Sequence, residues 1–143
     1  MQNYLIIAIL LGAGILSAIL IDGMNIINFS QSKNGFEILS FTTDKELYHS
    51  NEPMNMSLVI SASNNMNNVT VNVFGIKDRS SNYRINRLET VNLTNGINIF
   101  TYSYTTPSCY GCAGIDAGVH DITAIVSYQE ISLNSTIKID IKS

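Results

Sequence analysis

Two periodicities divide the chain. From Tyr4 to Ile21 the sequence YLIIAILLGAGILSAILI is apolar almost throughout, with eleven Leu or Ile and neither charge nor proline. Eighteen helical residues span roughly 27 Å, close to the hydrocarbon thickness of a bilayer. The Leu and Ile alone contribute roughly -3 to -6 kcal/mol to insertion, so this run predicts a transmembrane helix. Residues 22–35, DGMNIINFSQSKNG, mix Gly, Asn and Ser with scattered apolar positions and read as a linker. From Phe36 onward apolar residues recur at every second position in short runs, which is the period of strands.

Seven strands are predicted between residues 36 and 143. The first, Phe36 to Thr43, places Leu39 and Phe41 on one face and Ile38 on the other. Met54, Met56, Leu58 and Ile60 form the inward set of the second, and Val69, Val71 and Val73 that of the third. A weaker run covers Tyr83 to Leu93, and Ile97 to Tyr104 follows an Asn95-Gly96 turn. His120, Ile122, Ala124, Val126 and Tyr128 alternate through the sixth, and Ile131, Leu133, Ile137, Ile139 and Ile141 keep one parity in the seventh, across a Gln129-Glu130 hairpin. Short strands with frequent turns and alternating faces predict an all-β, immunoglobulin-like sandwich rather than a small barrel, because the strands differ in length. Met54 and Met56 read as core filling.

Composition narrows the functional classes. Charged residues are 13% of the chain, net charge is -3, and the eight Lys and Arg form no basic stretch of the kind that neutralises phosphates. A nucleic-acid partner is set aside. Five Asn-x-Ser/Thr sequons, at Asn28, Asn55, Asn68, Asn92 and Asn134, follow the apolar run and are candidate glycosylation sites on an exported domain. The low charge suits that side of the membrane. A cleaved signal peptide and a buried core helix are rival readings of Tyr4–Ile21. The first three residues, Met1, Gln2 and Asn3, lack the basic side chain of a signal peptide and no clean A-x-A follows, so an uncleaved anchor is expected. Ala8 with Gly12, and Gly14 with Ala18, have the spacing that permits close helix approach, a spacing common in any membrane helix.

The segment TTPSCYGCAGIDAG, residues 105–118, is chemically the most distinctive. Pro107, Gly111 and Gly114 make it a turn between strands, so Cys109-Tyr110-Gly111-Cys112 lacks the strand-then-helix setting of a redox C-x-x-C. A local disulfide between Cys109 and Cys112 is expected in an oxidising exterior. Alternatives are a metal held by Cys109, Cys112, His120 and Asp116, or two reduced thiols. Tyr110 at the tip is a candidate contact residue. His49 and His120 are the chain's two imidazoles, and neither lies in a nucleophile motif or phosphate loop. No catalytic residue and no cofactor are assigned.

The stretch Thr43-Asp44-Lys45-Glu46-Leu47-Tyr48-His49-Ser50-Asn51-Glu52 resembles the opening T-D-K-x-x-Y-x-x-G-E of many prokaryotic surface immunoglobulin-like domains, with Asn51 where Gly is usual. Gly118-Val119-His120-Asp121-Ile122-Thr123-Ala124-Ile125-Val126 is similar to their G-x-Y-x-I-x-A-x-V strand, with His120 in place of Tyr. The likeness spans residues 36–143 and is to archaeal and bacterial surface domains of immunoglobulin, fibronectin III or adhesion-module type. It implies a non-catalytic binding, adhesion or envelope role, tethered through residues 4–21, with a surface protein or glycan as partner. Two other readings stay open: an accessory subunit of an archaeal pilus or archaellum, and an extracytoplasmic metal or redox protein using the cysteine pair.

Overall fold

The computed structural model describes residues 35–109 and 114–143. The apolar run Tyr4–Ile21 with its small-residue pairs, the linker up to residue 34, Asn28, Tyr110 and Cys112 lie outside the described residues. Among the described residues no helix is long and apolar enough to cross a membrane. They form eight strands: β1 (Phe36–Thr43), β2 (Leu47–His49), β3 (Pro53–Ala62), β4 (Met66–Lys77), β5 (Tyr83–Leu93), β6 (Gly96–Thr105), β7 (Gly118–Tyr128) and β8 (Ile131–Lys142).

The alternation that identifies these strands is also what stacks them. In β3, Met54, Met56, Leu58 and Ile60 are buried while Asn55 is exposed. Val69, Val71 and Val73 of β4, and Ile122, Ala124 and Val126 of β7, do the same. Fully burying one side chain of this size contributes roughly 1.5–3 kcal/mol, so two such faces gain most by closing on each other. Two sheets result, one ordered β1-β3-β6 and the other β2-β8-β7-β4-β5. They are separate sheets, which decides for a sandwich over a barrel. Every ladder is antiparallel except β2 with β8. The β7–β8 hairpin turns at Gln129, which takes a φ of 54°.

Three details depart from simple alternation. The fold has eight strands where the pattern predicts seven, because β2 is three residues long, too short to show a period; it is held by parallel pairing of Leu47–His49 with Asp140–Lys142. In β1 the register shifts between Ile38 and Ser40, so Leu39 is 46% exposed instead of sharing the buried face of Phe41. A bulge adds one residue and reverses the parity beyond it. In β4, alternation would put Ile76 on the face opposite Val73, yet Ile76 is buried. Its φ of 50° makes the turn inward, a left-handed conformation that is unusual for a β-branched residue. The preceding Gly75 lets β4 approach β7 closely: a Cβ there would lie 2.5 Å from the Asp121 carbonyl oxygen and 2.7 Å from Ile122 Cα.

Asn51 has φ 62°, the left-handed value that its place in the T-D-K-x-x-Y-x-x-G-E pattern demands. Asn51→Ala should therefore cost about 1 kcal/mol, and Asn51→Gly should leave stability within about 1 kcal/mol of the parent. Urea unfolding of the two variants side by side checks this, and equal stability of Ala and Gly at this position would contradict it.

Candidate functional site

The residues that carry the family resemblance turn out to fasten the chain to itself. Tyr48, fully buried, donates from its phenol to Asp44 Oδ1 at 2.6 Å and accepts the Lys45 backbone N–H at 2.9 Å. Asp44 Oδ1 also accepts the Asn55 N–H, and Thr43 Oγ1 donates to the Lys45 carbonyl. Lys45 pairs with Glu52, whose other oxygen accepts the His49 N–H at 2.7 Å. The Tyr48 phenol, then the Asn55 amide, hold Asp44 below the usual carboxylate range; Lys45, then the His49 amide, do so for Glu52. Burial, then the Asp44 carboxylate, push the Tyr48 phenol from 10.0 up to about 12. Because unfolded chains release that proton first, the associated stability is lost as pH rises from about 10 to about 12. An ultraviolet titration should show late-forming phenolates that include Tyr48 and Tyr102, fewer by one in Tyr48→Phe; an unchanged late phase in that variant would refute the assignment.

The cysteine segment is pinned by Arg79 and by the turn after β2. Arg79 donates from Nε to Asp116 Oδ1 at 2.9 Å and from Nη2 to the carbonyls of Cys109 and Ile115. The Cys109 N–H donates to Ser50 Oγ at 2.7 Å, and buried Thr106 donates from Oγ1 to the His49 carbonyl at 2.6 Å. His120 Nε2 lies 2.8 Å from the Asp116 carbonyl, tying its strand to the preceding turn as the tyrosine of the related pattern would. Asp116 is thus engaged by Arg79, and His120 meets Asp116 through main chain. Among the described residues no three His, Cys, Asp or Glu are grouped to hold a metal. Cys109 is buried at 7% exposure. With this many other anchors, and with a two-residue spacing that closes only a small ring, Cys109→Ser combined with Cys112→Ser should leave the sandwich folded and cost roughly 0–2 kcal/mol. Thermal melts with and without chelator check it. A melt lowered by chelator in the parent alone would instead establish a structural metal.

The remaining sequons occupy unlike places. Asn55 and Asn134 lie on exposed strand faces of β3 and β8, Asn68 stands at an irregularity of β4 with φ 61°, and Asn92 Oδ1 accepts the Asn68 N–H. Asn55 Oδ1 accepts the Ser103 hydroxyl.

The most recognition-like surface is one that sequence reasoning misses. Strand β5 is an edge of the five-stranded sheet and β6 an edge of the three-stranded one. Between them opens a cleft of about 440 Å³, floored by Met56, Val73 and Ile85 and rimmed by Arg84, Asn86, Arg87, Tyr102, Ser103 and Tyr104. Across it Tyr102 donates to Glu89 Oε1 at 2.7 Å, Arg87 pairs with Glu89 at 3.1 Å, and the Arg87 guanidinium lies 5.1 Å from the Tyr102 ring centre. The ladder pairs Arg87 with Val73 and Glu89 with Val71, so these charges stand on the core-facing side of an edge strand. That placement discourages another strand from adding to the edge. Burial, then Glu89, raise the Tyr102 phenol above its ordinary range. Tyr104 donates to the Arg84 carbonyl. The sequence does hold a signal for this cleft: all three arginines of the chain fall between residues 79 and 87, and Tyr102 and Tyr104 share one strand face.

No family model matches this chain, and no curated protein matches its sequence. Solved structures do resemble it. The C-terminal domain of Wzt is similar over 76% of this chain and 74% of its own, at a TM-score of 0.56 and 11% identity. The alkylpurine DNA glycosylase AlkC of Pseudomonas fluorescens is similar over 76% of this chain but 31% of its own, at 0.59 and 10%. A CARDB domain from Pyrococcus furiosus is similar over 75% of this chain and 94% of its own, at 0.53 and 13%. At such identities the likeness concerns the backbone alone, and it agrees with the two-sheet topology: the described residues form an all-β domain of the immunoglobulin-like sandwich kind.

Proposed function

We propose that this protein is a membrane-tethered, extracytoplasmic β-sandwich that acts by binding and has no catalytic role. The observation that carries the reading is the β5–β6 cleft. Arginine and tyrosine on its rim are side chains that dominate recognition surfaces, above an apolar floor of the kind that ligand sites use. Each imidazole, by contrast, is engaged near its own turn, His49 with Glu52 at 3.7 Å and His120 with Asp116. The uncharged run Tyr4–Ile21 followed by sequons supports the tether and the outward orientation. The partner is a surface or envelope component, consistent with a role in adhesion or envelope organisation.

Protease added to intact cells should remove residues 36–143 and leave a membrane-embedded N-terminal fragment. Recovery of the whole chain in the soluble cytosolic fraction would overturn the tether, and a mature N-terminus beyond Ile21 would replace the anchor by a cleaved signal.

A further inference from the structure

We propose that the β5–β6 cleft binds a carboxylate-bearing saccharide, with Arg84 gripping the carboxylate and the Tyr104 ring receiving a face of the sugar. This names the ligand class for the binding role proposed above and rests on it. Of the three arginines, Arg84 is the least engaged, holding only a long ion pair. Arg79 is consumed by the cysteine segment, and Arg87 by Glu89 and the Tyr102 ring. Arg84 has one approach to a carboxylate, 3.8 Å to Asp78 Oδ2, and among the described residues its guanidinium makes no hydrogen bond. Nor is Asp78 available to close on it freely. Its Oδ1 already accepts the N–H groups of Ser80 and Asn82, and its side chain is 4% exposed.

A partly exposed guanidinium fork at the mouth of a cleft matches a single planar carboxylate, which can take two parallel N–H bonds. Phosphate-rich ligands fit less well, because the Glu89 carboxylate is bonded to Tyr102 of the cleft lining and the chain is net negative. The Tyr104 phenol is tied to the Arg84 carbonyl, so its ring is held in place beside the Arg84 main chain in the same cleft. A fixed aromatic ring next to neutral Asn86 offers an apolar plane plus an amide partner. That combination suits a ring with C–H faces and an equatorial rim of hydroxyls. An acidic peptide would draw its main affinity from strand addition along an edge, which the inward charges of β5 oppose. The cleft volume lies within the usual range for small-ligand sites.

The test uses the full chain in a detergent without a sugar headgroup, titrated calorimetrically with an oligoglucuronate, a neutral oligoglucose of equal length, and an oligoglutamate peptide. The expected result is binding of the oligoglucuronate alone, weakening as salt is raised. Arg84→Gln should weaken it at least tenfold and Tyr104→Leu several-fold, with Arg84→Lys between parent and Gln because charge survives without the fork. Lys138→Gln, on β8, should change nothing. Unchanged melting temperatures show that the variants fold. Equal binding of the neutral sugar, indifference to Arg84→Gln, or no binding of any ligand overturns the proposal. Binding of the peptide alone overturns the ligand class while the binding role stands; that role and its location are judged separately by the cell-shaving experiment.

Discussion

A single methyl group added at Gly75 should destabilise the sandwich by about 3 kcal/mol, near the upper end for overpacking a filled interior. The atoms that a Cβ would meet at 2.5 and 2.7 Å are main-chain atoms of Asp121 and Ile122, which cannot rotate aside. They belong to β7, paired with β4 through a ladder from Thr70 to Gly75, so relief requires the two central strands to part. Shortening the Ile122 side chain should not rescue the variant, since its Cγ1 is only the third-nearest atom, at 3.1 Å. Gly96→Ala is the control. Nothing lies within 4 Å of a Cβ at Gly96, and its cost is confined to the φ of 103°, on the order of 1 kcal/mol. Urea unfolding followed by tyrosine emission is suitable because the chain has no Trp. A Gly75→Ala variant within 1 kcal/mol of the parent would show that β4 and β7 can separate freely.

Tyr48→Ala should cost roughly 3–5 kcal/mol, the range for removing a buried aromatic ring. The ring is fully buried, and its hydroxyl organises the turn that leads into β3. Tyr48→Phe separates the two contributions, losing only the hydroxyl, and should cost about 1–2 kcal/mol. The pH dependence of this pair gives a second readout. Asp44 and Glu52 have lowered pKa values in the fold, so the stability they supply is present above the ordinary carboxylate range and is lost as pH falls through their folded values. Tyr48→Phe removes the first cause of the Asp44 shift, so its stability should decline less steeply than the parent's on acidification below about pH 4. Parallel acid profiles for parent and variant would mean that the phenol does not set the charge state of Asp44.

The alternation of apolar residues made β3, β4, β7 and β8 legible, because each buries one face against a facing sheet and periodicity records that directly. Turn chemistry also transferred well: Asn51 stands at a position that needs a left-handed residue, and it adopts that conformation. The misses share a physical cause. Leu39 is misassigned by parity because a bulge in β1 is a local event that leaves the sequence alternation intact while changing its meaning, and the positive φ of Ile76 in β4 acts in the same way. Strand β2 is invisible because three residues are too few to show a period, and its parallel pairing with β8 is a long-range one. The candidate site was less legible than the fold. Cysteine, histidine and aspartate in residues 105–121 attract attention as chemistry-bearing types, yet Arg79, a residue far from them in sequence, decides how Asp116 and Cys109 are held. The cleft is assembled from two strands of different sheets, and a side chain such as Arg84 becomes notable only once its neighbours are seen to be engaged elsewhere.

The parallel pairing of β2 with β8 bears on the order in which the chain assembles. Hairpins such as β7–β8 close over a few residues, whereas joining Leu47 to Asp140 closes a loop of about 90 residues, a cost that must be met before its few hydrogen bonds are gained. Residues 44–50 should therefore dock last, after β8 has been made and has joined the sheet. During synthesis the Tyr48 turn would wait for β8, and nearly the whole sandwich must leave the ribosome, or the translocation channel, before that seam can seal.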